Sequence, residues 1–131
     1  MKSEGEEPRR DLPERTFEFA RRVVKLCAVL DETPGVSRTL ANQLLRSGTS
    51  IGANIEEGQG SQSRADFVSK YSIACKEARE THYWLRLLSV SEIVAHSRLA
   101  PLIDEANQLV AILTTIIKKT REKGRRVKFE G

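Results

Sequence analysis

Apolar residues recur at three- and four-residue spacing through four long stretches of this chain, and no stretch shows the two-residue alternation of a strand. That pattern commits the chain to amphipathic helices, each of which must bury its stripe against another. The first stretch spans about Pro13 to Leu30. Pro13 suits a first helical position, where its missing N–H has no intrahelical partner. Two adjacent stripes run along this segment, Phe17, Ala20, Val24 and Cys27 beside Phe19, Val23, Leu26 and Leu30. Together they make a face wider than one bundle core demands, and surplus apolar surface of that kind serves as a subunit interface. Thr33-Pro34-Gly35 then breaks the helix.

Ser37 can N-cap a second helix to about Glu57, with Leu40, Leu44, Ser47, Ile51 and Ile55 on one face. Gly48 and Gly52 lie inside it, each costing about 1 kcal/mol relative to alanine. Either another backbone approaches closely there, which would make the pair an oligomer interface, or the helix is locally weak. Gly58 to Gln62 reads as a turn. Ser63 then caps a third helix to about Ser89, with Asp66 in its first turn and Phe67, Tyr71, Ala74, Ala78, Leu85 and Leu88 as the core stripe. Ser97 can cap a fourth, reaching about Arg121, with Pro101 in its first turn. Its stripe is the cleanest: Leu99, Leu102, Ile103, Ala106, Leu109, Val110, Leu113, Ile116 and Ile117. The expected fold is all-α, an antiparallel up-down-up-down four-helix bundle over residues 13–121. A disordered polar arm over 1–12 precedes it and a basic tail over 122–131 follows.

At 131 residues the chain has room for one domain and one core. No uninterrupted apolar run approaches the roughly 18 residues of a membrane span, so no membrane partner is expected. The polar, acidic start is neither a signal nor a transit peptide. Cys27 and Cys75 sit in apolar helical contexts and read as reduced core residues of a cytoplasmic protein.

Little in the sequence converges for chemistry. His82 and His96 are the only histidines. Cys75 and His82 share a helix face but stand about 10 Å apart along it, too far for one zinc without further ligands. No His-Glu-x-x-His, Cys-x-x-Cys or di-iron Glu-x-x-His pattern occurs, and Gly58-Gln59-Gly60 follows a helix and lacks a P-loop lysine. The reading is a non-enzyme with no metal, no cofactor and no catalytic residue. Charge is more informative. Residues 118–131 hold seven bases (Lys118, Lys119, Arg121, Lys123, Arg125, Arg126 and Lys128) and two acids, while the rest of the chain is nearly neutral. Lys76, Arg79 and Arg86 fall near one side of the third helix. These bases form a nucleic-acid surface, for RNA or DNA, or else a solvated face and a solubilising end.

The stretch Leu44-Leu45-Arg46-Ser47-Gly48-Thr49-Ser50-Ile51-Gly52-Ala53-Asn54-Ile55-Glu56-Glu57-Gly58 resembles the bacterial four-helix-bundle family named for proteins encoded in 23S ribosomal RNA intervening sequences. So do Ser63-Arg64-Ala65-Asp66-Phe67 and the run from Lys76 to Leu88, and the likeness covers about residues 14–121. It implies a four-helix bundle assembling as a ring-like homopentamer. Accessory proteins of diversity-generating retroelements resemble this family in fold and use a basic surface to bind nucleic acid and a reverse transcriptase. The resemblance carries over no catalytic residue. It leaves two expectations, an oligomeric nucleic-acid adaptor whose partners include RNA or DNA and a reverse transcriptase or other protein, and a scaffold whose charges only keep it in solution.

Overall fold

The computed structural model describes residues 8–130, with side chains from 12 to 127, as four helices: α1 (Pro8–Leu30), α2 (Val36–Gln59), α3 (Arg64–Val90) and α4 (His96–Glu130). They alternate in direction. α2 packs along both α1 and α3, α3 packs along α4, and α1 and α4 meet over a short seam only. The chain is thus an all-α four-helix bundle with three closed edges and one light one. Phe19, Val23, Leu26 and Leu30 of α1 meet Leu44, Ile51 and Ile55 of α2, Tyr71, Ala74, Leu85 and Leu88 of α3, and the α4 stripe from Leu99 to Ile117 in one core. Each large aliphatic side chain buried there contributes about 1.5–3 kcal/mol. By length and composition α4 could cross a membrane, over His96–Val127. Its apolar residues recur periodically, so a search for unbroken runs passes over them, and they are the residues that fill this core.

The helix ends differ from expectation for identifiable reasons. α1 opens at Pro8, not Pro13, because Leu12 is fully buried and draws the preceding turn into the bundle. The arm expected to be disordered is therefore helical over 8–12, and its residues 1–7 lie outside the described part. Gly35, with φ +94°, is the N-cap of α2 and adopts a conformation that favours glycine. Ser37, expected to cap, instead donates from Oγ to the Leu30 carbonyl at 3.0 Å. Ser63 caps α3 as expected, its Oγ accepting the Asp66 N–H at 3.1 Å. α4 starts at His96, which carries Pro101 past the first turn.

The basic segment over 122–130 continues α4 as helix. It contains no proline, its residues are mostly good helix formers, and cations at a helix C-terminus complement the dipole.

Three glycines make room inside the bundle. A Cβ on Gly48 would lie 2.8 Å from Val23 Cγ1, and one on Gly52 would lie 3.3 Å from the Thr16 carbonyl oxygen. The close approach expected at these positions exists, but it is to α1 of the same chain. Both glycines are buried in the single subunit, which corrects their assignment to an oligomer interface. Gly58, expected in a turn, is a helical residue seated against the Tyr71 ring, where a Cβ would come within 2.6 Å. That ring stacks on Phe67 with centroids 4.0 Å apart, and its hydroxyl accepts from Gln59 Nε2 at 2.6 Å.

Candidate nucleic-acid interface

The register of α3 against α4 is marked by Cys75, whose Sγ lies 3.6 Å from Thr114 Oγ1 and 3.9 Å from the Val110 carbonyl. Around that contact the two helices flank a groove of about 530 Å³. Lys76 and Arg79 line it from α3, Lys118, Arg121 and Arg125 from α4, and Cys75 and Ile117 are among its apolar lining. The bases of the bundle wall and those of the basic C-terminal segment, some forty residues apart in sequence, thus meet in one place.

Among the described residues the groove has no acidic lining residue. The two carboxylates nearest along α3, Glu77 and Glu80, both pair with Arg46 of α2. None of the five groove bases is ion-paired to a described residue. Five unneutralised cations around a concave surface concentrate positive potential and raise the local concentration of anions. All five side chains are exposed, and stems of this length can cover apolar lining while keeping the charge in water. Such a site can hold several phosphates at once. It offers no backbone or side-chain arrangement that reads base edges.

The remaining candidates are scattered. Arg86 is exposed on α3 beyond the groove. Lys119 and Arg126 fall on another face of α4. Lys123 joins Arg64, Ser61 and Ser63 around a smaller pocket of about 330 Å³ beside the start of α3. The side chain of Lys128 lies outside the described residues. Sequence reasoning missed Arg64 as part of this region, and its place next to Gly124 of α4, 3.2 Å from a would-be Cβ, follows only from the helical continuation of α4.

Burial, with a smaller contribution from the charge of Arg86, lowers the His82 pKa. Among the described residues no group of three His, Cys, Asp or Glu side chains could hold a metal ion. Cys27 and Cys75 are buried free thiols, and burial together with Asp31 pushes the Cys27 pKa up to about 11.

The opposite edge of the bundle, between α1 and α2, has a different character. A groove of about 260 Å³ there is lined by Val24, Cys27, Ala28, Asp31, Ala41, Asn42 and Leu45. Phe17, one heptad before Val24 on α1, is 67% exposed. The two stripes expected on α1 therefore part. Phe19, Val23, Leu26 and Leu30 enter the core with Cys27, while Phe17 and Val24 face outward.

Similarity to known proteins agrees with this architecture. The family model of the 23S rRNA-intervening sequence protein matches residues 11–115. A crystal structure of a protein of unknown function from the S23 ribosomal protein family of Bacteroides thetaiotaomicron is 40% identical to the chain. The match covers 84% of this chain and 97% of that one, with a TM-score of 0.77. No curated protein matches. A family match through all four helices and a closely superimposing bundle together place the chain in the 23S rRNA-intervening sequence protein family.

Proposed function

We propose that this chain is a non-enzymatic adaptor that binds nucleic acid through the phosphates, with the α3–α4 groove as its contact surface. The observation that carries this reading is the convergence of Lys76, Arg79, Lys118, Arg121 and Arg125 around one groove, with no acidic lining residue and no ion pair to them among the described residues. The exposed Phe17–Val24 stripe and the neighbouring Leu45 support self-association through the α1–α2 edge, with five copies as the state the family resemblance suggests. That edge lies across the bundle from the basic groove, so contacts made through it leave the groove open, and each further subunit adds another copy of it. Repetition raises effective affinity without a new contact.

The test is binding of a labelled RNA or DNA across a salt series. Five phosphate contacts give a log–log slope of about −3.5 to −4.5, a loss of roughly 100- to 500-fold in affinity between about 50 and 200 mM salt. Replacing Arg79 and Arg121 by Gln should weaken binding and shorten the slope by about two contacts, with helicity and oligomer size unchanged. Binding that is absent at low salt, or indifferent to both replacements, would leave the scaffold role as the better account. Sedimentation of the wild-type chain tests the assembly, and a monomer at micromolar concentration overturns it.

A further inference from the structure

Beside the groove, α3 carries an outward stripe that phosphate binding alone leaves unexplained. Ser72, Lys76, Arg79, Tyr83, Arg86 and Val90 follow one another at intervals of four, three, four, three and four residues, which places them on one helix face. Lys76 and Arg79 belong to both stripe and groove. Tyr83 lies one turn beyond Arg79 and one turn before Arg86, and is 49% exposed. A large aromatic ring held in water between two arginines fills no core position.

The ring is also positioned. Trp84 meets it edge-on, with centroids 5.0 Å apart and planes at 75°. Trp84 is itself half-buried against the core, and its indole N–H donates to Glu80 Oε2 at 3.2 Å, while Arg46 of α2 holds Glu80. Tyr83 is thus braced on one side and open to solvent elsewhere. An aromatic ring already held in place loses little freedom when a partner stacks on it.

We infer that Tyr83 is a stacking platform for an unpaired nucleobase, so that the α3 surface prefers single-stranded over duplex nucleic acid. The inference rests on the phosphate-binding reading of the groove and adds the class of ligand. Tyr83 stands about 10 Å along α3 from Lys76, a span of one to two nucleotides in an extended strand, so a strand seated in the groove reaches it. In a duplex the base faces are stacked and covered, and a tyrosine on a convex helix surface meets only sugar and phosphate. Only an unpaired base presents a face to the ring. Arg79 and Arg86 on either side match the phosphates that flank such a base. Stacking of this kind is tolerant of sequence, because every base has a π face.

The experiment compares a mixed-sequence RNA single strand of about a dozen nucleotides, carrying 2-aminopurine near its centre, with the duplex of the same sequence. Wild type should bind the single strand more tightly and quench the 2-aminopurine. Tyr83→Ala should weaken single-strand binding about tenfold, within the range of a lost aromatic–base stack, and abolish the quenching. Duplex binding should stay within about twofold of wild type, since no stack is lost there. Tyr83→Phe keeps the ring and should behave as wild type, which separates stacking from any effect on the fold. Equal binding of the two forms, or an equal loss for both in Tyr83→Ala, overturns the inference. If Arg79→Gln with Arg121→Gln still weakens both forms in that case, the groove reading stands. If that double variant changes neither form, the groove reading itself has failed.

Discussion

Gly48→Ala sets two opposing effects against each other at a site whose geometry is defined. Alanine favours the helical state over glycine by about 1 kcal/mol in a helix interior. Against that, the added Cβ would sit 2.8, 3.1 and 3.3 Å from Cγ1, Cγ2 and Cβ of Val23. Val23 is fully buried and β-branched, so it has essentially one χ1 state in a helix and cannot rotate away. Relief requires α1 to move outward from α2 along its length. Overpacking of this degree costs about 2–3 kcal/mol, leaving a net loss of about 1–2 kcal/mol and a fall in Tm of roughly 3–10 °C. At Gly52 the nearest atoms, the Thr16 carbonyl oxygen and Oγ1, would be 3.3 Å away, so a shift of a few tenths of an ångström suffices. Gly52→Ala should accordingly fall within about 0.5 kcal/mol of wild type. Thermal and urea unfolding followed by circular dichroism measure both variants, and a double-mutant cycle isolates the cause. In a Val23→Ala background the two closest contacts are gone and only the Cβ at 3.3 Å remains, so Gly48→Ala should lose most of its penalty and fall within about 0.5 kcal/mol of that background. A rise in Tm for Gly48→Ala in the wild-type background refutes the packing argument. A change in oligomer size at constant Tm would return Gly48 to the subunit interface.

Other positions give sharper single readouts. Glu92 holds φ 57° at the end of α3, where its N–H donates to Ser89 and that of Ile93 donates to Leu88, the two bonds of a Schellman cap. Glu92→Gly should raise stability by about 0.5–1 kcal/mol in urea unfolding, and a loss would show that the carboxylate has a partner worth more than the strain. Arg15 of α1 bonds both carboxylate oxygens of Glu105 on α4, at 2.6 and 3.1 Å. Glu105→Gln should cost about 1 kcal/mol, and no change in unfolding would mean the pair is merely a surface contact. The folded state favours neutral His82, so the unfolded chain takes up this proton first as the pH falls. Stability present above the ordinary histidine pKa should decline below about pH 6.5, and His82→Gln should flatten that part of the profile. Cys27, a thiol up to about pH 11 and buried, should resist maleimide at pH 8 until denaturant is added. Prompt labelling in the native state would show the α1–α2 edge to be open.

Periodicity made the core legible. The Phe19–Leu30 stripe is buried as its spacing requires, the α4 stripe is buried except for Ile103, Val110 and Ile116 at its margins, and the Ser63 cap can be read from one serine and one aspartate three residues apart. What could not be read depends on neighbours distant in sequence. Leu12 is core because the bundle reaches past Pro13. Gly58 marks no turn but a close approach, since the Tyr71 ring occupies the space a side chain would take. The two small-residue positions of α2 signalled a close approach without saying whose backbone approaches. Charge counting likewise found the bases of α3 and of the C-terminal segment as rivals. Only the register marked by Cys75 and Thr114, with the continuation of α4, shows them to be two walls of one groove.

The light seam between α1 and α4 gives the molecule a hinge. α2 and α3 each lean along their whole length on two helices, whereas α1 leans fully on α2 alone and shares with α4 a short seam that Arg15 spans to Glu105 and Gln108. Gly35, with its positive φ, stands at the joint between α1 and α2. The least costly opening of the bundle swings α1 away about that joint and leaves α2, α3 and α4 packed together. Amide protons of α1 should then exchange through a partial opening, at a free energy below that of global unfolding, while those of α2 and α3 wait for the whole domain. The basic groove lies entirely within the part that stays closed, so this motion exposes the core beneath Phe19 and Val23 without disturbing the phosphate-binding surface.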